Sequence, residues 1–250
     1  MIVVDIGNTN IVFGVYYNNR LTKVFRYETR NKKVVQLISN QFTNWYIKRT
    51  KIKKKICIFS SVVPEINNKI QKIFKLIQFK VFNISPSKIP FNIKFKYKKN
   101  ELGCDRIANT IAAINKYGKN CLIIDFGTAT TFDVIKNNIY DGGIIAPGIR
   151  LSHDALITNT SKLKKISIVK TKTIVGKTTT ESMQSGFYWG YISLINGIIE
   201  KILYEKKYKP IIILTGGLAI TFKDKIIKKN KYEPYLTLEG LKLIGQANYA

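Results

Sequence analysis

One histidine and three cysteines are all that 250 residues provide for the commonest forms of nucleophilic catalysis and transition-metal binding. His153 alone excludes multi-histidine metal sites, and any Ser–His or Cys–His dyad would have to use it. Cys57, Cys104 and Cys121 are odd in number, and their spacings fit neither a disulfide framework nor a zinc site. A general base is therefore expected to be a carboxylate. Carboxylates are themselves scarce, with 15 acidic residues against 42 basic ones. Long apolar runs are missing too: Ile211-Ile-Ile-Leu214 falls far short of a bilayer span. Met1-Ile-Val-Val-Asp5 has neither the basic region nor the long apolar region of a secretory signal, so a cytoplasmic protein with no membrane partner is expected. No Gly-x-x-x-x-Gly-Lys-[Ser/Thr] occurs, and no Gly-x-Gly-x-x-Gly follows a strand, which excludes the P-loop and the dinucleotide fingerprint.

The net charge of +27 invites a nucleic-acid reading. Lysine is spread through strands, helices and loops alike, together with abundant Asn and Ile, as an AT-rich coding bias produces. No nucleic-acid motif accompanies it, so nucleic acid is not an expected partner. The charge would still steer anionic ligands such as nucleotides. The apolar content of 45% is that of a globular protein, and the length suits one large domain or two small ones.

Two turns look like copies of each other. Asp5-Ile-Gly-Asn-Thr-Asn10 follows Ile2-Val3-Val4, and Asp125-Phe-Gly-Thr-Ala-Thr130 follows Leu122-Ile123-Ile124. Each leads into an alternating stretch and an Asn-Asn turn, at Asn18-Asn19 and Asn137-Asn138. A repeated strand–turn–strand–turn unit suggests duplication. Strands are predicted at 2–6, 10–17, 21–28, 55–60 and 79–84, and again at 121–126, 131–136, 139–146 and 210–215. Helices are predicted at 34–50, from Pro64 onward, at 105–117 with Gly118 as C-cap, at about 179–206, and near 218–229 and 237–247. Residues 85–100 read as irregular and 147–176 as mixed. The pattern is α/β in both halves, with a break at 117–120 that divides the chain into 1–117 and 118–250.

The chemistry-bearing residues follow the turns. Gly7 permits close backbone approach, Asn8, Thr9 and Asn10 supply donors, and consecutive N–H groups form an anion nest. Asp5 stands where a carboxylate could hold hydrated Mg²⁺ against phosphates. An ordinary β-turn would use the same residue types, but its recurrence at 125–130 favours phosphate binding. Asp105, in Gly103-Cys-Asp-Arg106, reads equally as a helix cap or as a general base beside an anion-binding Arg106. Thr178 and Glu181 have capping-box spacing, which leaves neighbouring threonines for a ligand. His153 receives no chemical role.

Phosphate-binding hairpins in two halves resemble the superfamily of actin, sugar kinases and the Hsp70 ATPase domain. Gly216-Gly217 after a strand resembles that superfamily's third element, which approaches the adenosine. The ordered set Asp5–Asn10, Glu101–Arg106, Asp125–Thr130, Gly142–Gly148 and Glu181–Gly186 resembles type III pantothenate kinase. The resemblance implies a duplicated actin-like (ribonuclease H-like) ATPase fold, two lobes around an ATP cleft, and a homodimer using the long helix of the second lobe. It implies ATP-dependent phosphorylation of pantothenate, the first step of coenzyme A biosynthesis. The ATP contacts would be Asp5, Ile6, Gly7, Asn8, Thr9, Asn10, Ile11, Val12 and Thr128, with Asp5 near Mg²⁺ and Asp125 holding K⁺ or NH₄⁺. Pantothenate would meet Tyr97, Gly103, Cys104, Asp105, Arg106 and Thr179, with Asp105 accepting the proton. Lys99-Asn100 stands where the family often has Asn-Pro, Cys104 where Ala is common and Thr178 where Asn is common. The alternatives are another small-molecule kinase of the same fold, or a regulatory or nucleic-acid-binding accessory protein.

Overall fold

The computed structural model describes residues 1–48, 55–86 and 89–249. Residues 49–50 of the predicted helix at 34–50, and 87–88 of the predicted irregular stretch, lie outside them. The chain divides into two compact units, Met1–Lys116 with Tyr235–Ala250, and Tyr117–Pro234.

The first unit is built on β1 (Ile2–Ile6), β2 (Asn10–Tyr17), β3 (Arg20–Glu28), β4 (Ile56–Ser61) and β5 (Lys80–Asn83), in the order β3-β2-β1-β4-β5. Strand β1 pairs antiparallel with β2 and parallel with β4. Its near-continuous apolar run is what a strand covered on both faces requires. Ile2, Val4, Ile6, Ile11 and Phe13 enter one core with Phe42, Phe59 and Phe74. Helical cover comes from α1 (Val34–Ile38) and α2 (Asn44–Lys48), with a π-helical turn between them at Ser39–Thr43. It comes also from α3 (Pro64–Leu76), with proline in its first turn. A two-residue strand, β6 (Lys94–Phe95), precedes α4 (Cys104–Tyr117), and Gly118 follows at φ +92°, the left-handed conformation of a helix C-cap.

The second unit repeats the plan. Strands β7 (Cys121–Phe126), β8 (Ala129–Lys136), β9 (Ile139–Pro147), β10 (Ile211–Thr215) and β11 (Asn230–Tyr232) lie in the order β11-β10-β7-β8-β9. Again the first strand pairs antiparallel with the second and parallel with the fourth. The likeness reaches individual residues. Asn18-Asn19 and Asn137-Asn138 all have positive φ, which gives the two hairpins the same tight turn. Each hairpin then shifts register at one place, at Val15/Tyr16 and at Val134/Ile135. The helices are α5 (Ile149–Thr158), α6 (Thr179–Lys206) and the short α7 (Ala219–Phe222).

Three sequence expectations need correcting. Residues 147–176 contain a proper helix, α5. The helix near 218–229 is only α7 and a 3₁₀ turn, and Asn230–Tyr232 is a strand. The boundary at 117/118 assigned all later residues to the second half, yet α8 (Leu236–Tyr249) packs on β1, β2 and β4 of the first unit. Its Gly240 lies so close to the Ala108 carbonyl of α4 that no side chain would fit, and Thr237 donates to Asn109 Oδ1 at 2.8 Å. Among the described residues no helix is long and apolar enough to cross a membrane.

Candidate active site

In the first unit, β1 ends at Ile6 and the chain reverses at once into β2. Gly7 N–H donates to Asn10 C=O at 2.9 Å, closing the turn, and Asn8 and Thr9 stand exposed at its tip. Thr29, just after β3, staples the turn from behind. Its N–H donates to Thr9 C=O at 2.9 Å and its hydroxyl to Gly7 C=O at 2.7 Å. Thr29 was not singled out in the sequence, because its role depends on strand pairing that brings position 29 beside positions 7 and 9. Ile6 and Ile11 are fully buried, so of the expected ATP-binding run these two have only backbone to offer.

Of the residues expected at a substrate site, Gly103, Cys104, Asp105 and Arg106 lie at the start of α4 in the same unit, and Thr179 lies in the other. Burial first, and then the carboxylates of Asp105 and Asp5, push the Cys104 thiol up to about 11. Both carboxylates therefore act on one sulfur, although they lie a hundred residues apart in sequence. Asp105 Oδ1 accepts from the Arg106 backbone N–H at 2.9 Å, which aims the carboxylate. Gly103 is small where a side chain would strike that oxygen. Arg106 is buried, with its guanidinium carbon 6.0 Å from the centre of the Tyr97 ring. Tyr97, Cys104, Asp105 and Arg106 are thus neighbours.

The second unit carries the other turn. Gly127 N–H donates to Ala129 C=O at 3.1 Å, and Gly148 N–H, just after β9, donates to Thr128 C=O at 3.0 Å. Gly148 thus does for this turn what the Thr29 amide does for the first. Thr128 is exposed and Asp125 half-buried. Gly216, at φ +89°, lies against Asp125 Oδ1 and Phe126 N, and any Cβ there would collide with both. Asp125 and the Phe126 backbone thus occupy the place that a side chain at 216 would take.

Beside Gly216-Gly217 lies a cavity of about 490 Å³ between α5, α7 and the 165–168 stretch, lined among others by Ile149, His153, Ile166, Leu218 and Phe222. His153 is buried there as a structural link. Its Nε2 accepts from Ile166 N–H at 3.3 Å, and its ring meets Phe187 edge-on. Thr179 is the first residue of α6 and is exposed. The cap is made by Thr178, whose hydroxyl accepts from Glu181 N–H, so the Thr179 hydroxyl is not spent on it.

Solved structures share this architecture. One is component A of the (R)-2-hydroxyglutaryl-CoA dehydratase of Acidaminococcus fermentans (TM-score 0.54, 12% identity, 100% of this chain and 96% of that one). Another is the activator of the 2-hydroxyisocaproyl-CoA dehydratase of Clostridium difficile with bound ADPNP (TM-score 0.52, 9% identity, 98% and 94%). At such identities the likeness is one of fold, the duplicated α/β fold of the actin-like ATPases and sugar kinases. Sequence goes further. The type III pantothenate kinase of Geobacter sp. (strain M21) is 38% identical over 99% of both chains. That of Persephonella marina is 39% identical over 95% of both. The family model described as type III pantothenate kinase matches residues 1–201. The chain therefore belongs to the type III pantothenate kinase family.

Proposed function

We propose that this chain transfers the γ-phosphoryl group of ATP to the primary hydroxyl of pantothenate with Asp105 as proton acceptor. The activity itself, phosphorylation of pantothenate for coenzyme A synthesis, follows from family membership over nearly the whole chain. The observation that supports this assignment of roles is Asp105, held by the Arg106 N–H at 2.9 Å, beside an Arg106 guanidinium that lies over the Tyr97 ring. Asp105 Oδ1 is engaged by the Arg106 N–H, and Oδ2 takes the hydroxyl proton as the oxygen attacks phosphorus and the bond to ADP breaks. Its place in the first turn of α4 suits a negative charge. Arg106 pairs with the pantothenate carboxylate, and Tyr97, stacked on that guanidinium, limits how the chain of the substrate lies. Gly103 and Cys104 line the same site, and Thr179 is a further hydroxyl for the substrate.

Each of the turns 5–12 and 125–130 offers phosphate its backbone N–H groups and one hydroxyl, Thr9 in the first and Thr128 in the second. The cavity beside Gly216-Gly217 takes the adenosine. Mg²⁺ suits a site of this kind, because it is commonly held by one or two carboxylates together with phosphates and water. The lack of any cluster of three ligating side chains among the described residues is compatible with that, and Asp5 is the carboxylate. Asp125, half-buried at the end of β7, is the carboxylate for K⁺ or NH₄⁺. Bound there, such cations neutralise phosphate charge. The protein works as a homodimer in the cytoplasm. Ile144 and Ile145 on β9, Leu151 on α5 and Leu194 on α6 offer exposed apolar surface for a second copy.

The test is release of ADP in the presence of pantothenate, with and without K⁺. Asp105→Asn should reduce turnover at least a thousandfold, within the range general-base removal produces with positioning lost, while circular dichroism stays that of the wild type. Turnover near wild type in this variant would remove Asp105 from the mechanism.

A further inference from the structure

The second turn and the cavity beside it are built by different elements, and one side chain touches both. Tyr191 lies near the middle of α6 and is almost completely buried. Its hydroxyl makes a short hydrogen bond with Thr130 Oγ1, in the strand that leaves the turn. Thr130 itself is fully buried, so no water replaces this partner. The ring makes the other half of the link. It stands edge-on to Phe126, next to Asp125, at 6.2 Å and against Phe222, a residue of the cavity wall, at 5.0 Å.

We infer that Tyr191 is a positioning residue that sets the second phosphate turn and Asp125 relative to the adenosine cavity. The inference rests on the nucleotide roles proposed above. A buried side chain that bonds to the turn through its hydroxyl and packs on the cavity wall through its ring defines a distance between them. Phosphoryl transfer depends on positioning to within tenths of an ångström, and a nucleotide spanning cavity and turn is sensitive to that distance. Pantothenate, bound through the residues around Asp105, is not.

Tyr191→Phe keeps the ring and removes the hydrogen bond to Thr130. Steady-state kinetics should show KM for ATP and the half-activating K⁺ concentration each raised about tenfold, the loss expected for one buried hydrogen bond. KM for pantothenate should stay within about twofold, since that arm of the substrate site is untouched. Thr130→Val should reproduce the effect, Thr130→Ser should not, and the double variant should be no worse than either single one. Tyr140→Phe is the structural control. It too loses a fully buried tyrosine hydroxyl, here bonded to Asp133 at 2.7 Å, and should lower Tm without splitting the KM values. The inference is overturned if Tyr191→Phe changes all constants alike, behaves as Tyr140→Phe does, or adds fully to Thr130→Val. A wild type that leaves pantothenate unphosphorylated, or that ignores K⁺, would instead overturn the reading beneath it.

Discussion

At the scale of single residues, the site is shaped as much by what is left out as by what is present. Gly216 has a backbone conformation that side chains rarely adopt, and its missing Cβ lets Asp125 and the Phe126 backbone pack directly against it. Gly216→Ala should therefore cost both stability and activity. A lower denaturation midpoint and a tenfold or greater loss of kcat/KM for ATP, with the K⁺ response blunted, are the expected results; unchanged kinetics would mean that Asp125 holds no cation. The cysteines make a separate prediction about pH. Burial raises Cys104 to about 11 and Cys121 to about 12 from an ordinary value of 9.0. In both the folded state favours the neutral thiol. The stability this reflects is complete below pH 9, where the unfolded chain is also protonated. It is lost as pH rises through the folded values. Denaturation midpoints should be flat with respect to these groups up to about pH 8 and fall between 9 and 12, and Cys121→Ala should flatten part of that fall.

At the scale of elements, the strongest sequence patterns gave the correct units. The paired hairpins, α4 and α6 were legible because long periodic stretches end in Gly, Asn-Asn or a threonine cap. What was illegible had a weaker physical signature. Helix α5 exposes Leu151 and Leu156 while burying His153, which blurs its periodicity. Strand β11 is only Asn-Lys-Tyr, and pairing with β10 rather than its own composition makes it a strand. The site divides the same way. Motif residues could be named in advance, but Thr29, Tyr191 and the cavity wall arise from contacts between elements distant in sequence. Two glycine substitutions separate packing from propensity. Gly240→Ala drives a methyl group into the Ala108 carbonyl and should cost about 3 kcal/mol by forcing α8 off α4. Gly190→Ala, in mid-α6 with nothing near its Cβ, should stabilise by up to about 1 kcal/mol through helix propensity. Chemical denaturation of both variants checks the opposite signs.

At the scale of the whole molecule, charge and connectivity matter most. With a net charge of +27 the surface attracts ATP over distances that salt shortens to a Debye length of about 8 Å at physiological strength. Raising tetramethylammonium chloride at fixed K⁺ should lower kcat/KM for ATP severalfold while kcat stays nearly constant. A fall in kcat instead would mean that salt acts on the chemical step and not on encounter.

Connectivity has a consequence for biogenesis. Residues 117–234 form one uninterrupted stretch, whereas the first unit is assembled from the segments on either side of it. As the chain emerges from the ribosome, β1 and β4 are made early, but α8, which buries Leu236, Leu238, Leu241 and Ile244, is made last. Each of those side chains contributes about 2 kcal/mol when buried. The second unit can therefore complete itself during translation while the first waits for α8, and chaperones would find their substrate in the half that was synthesised first.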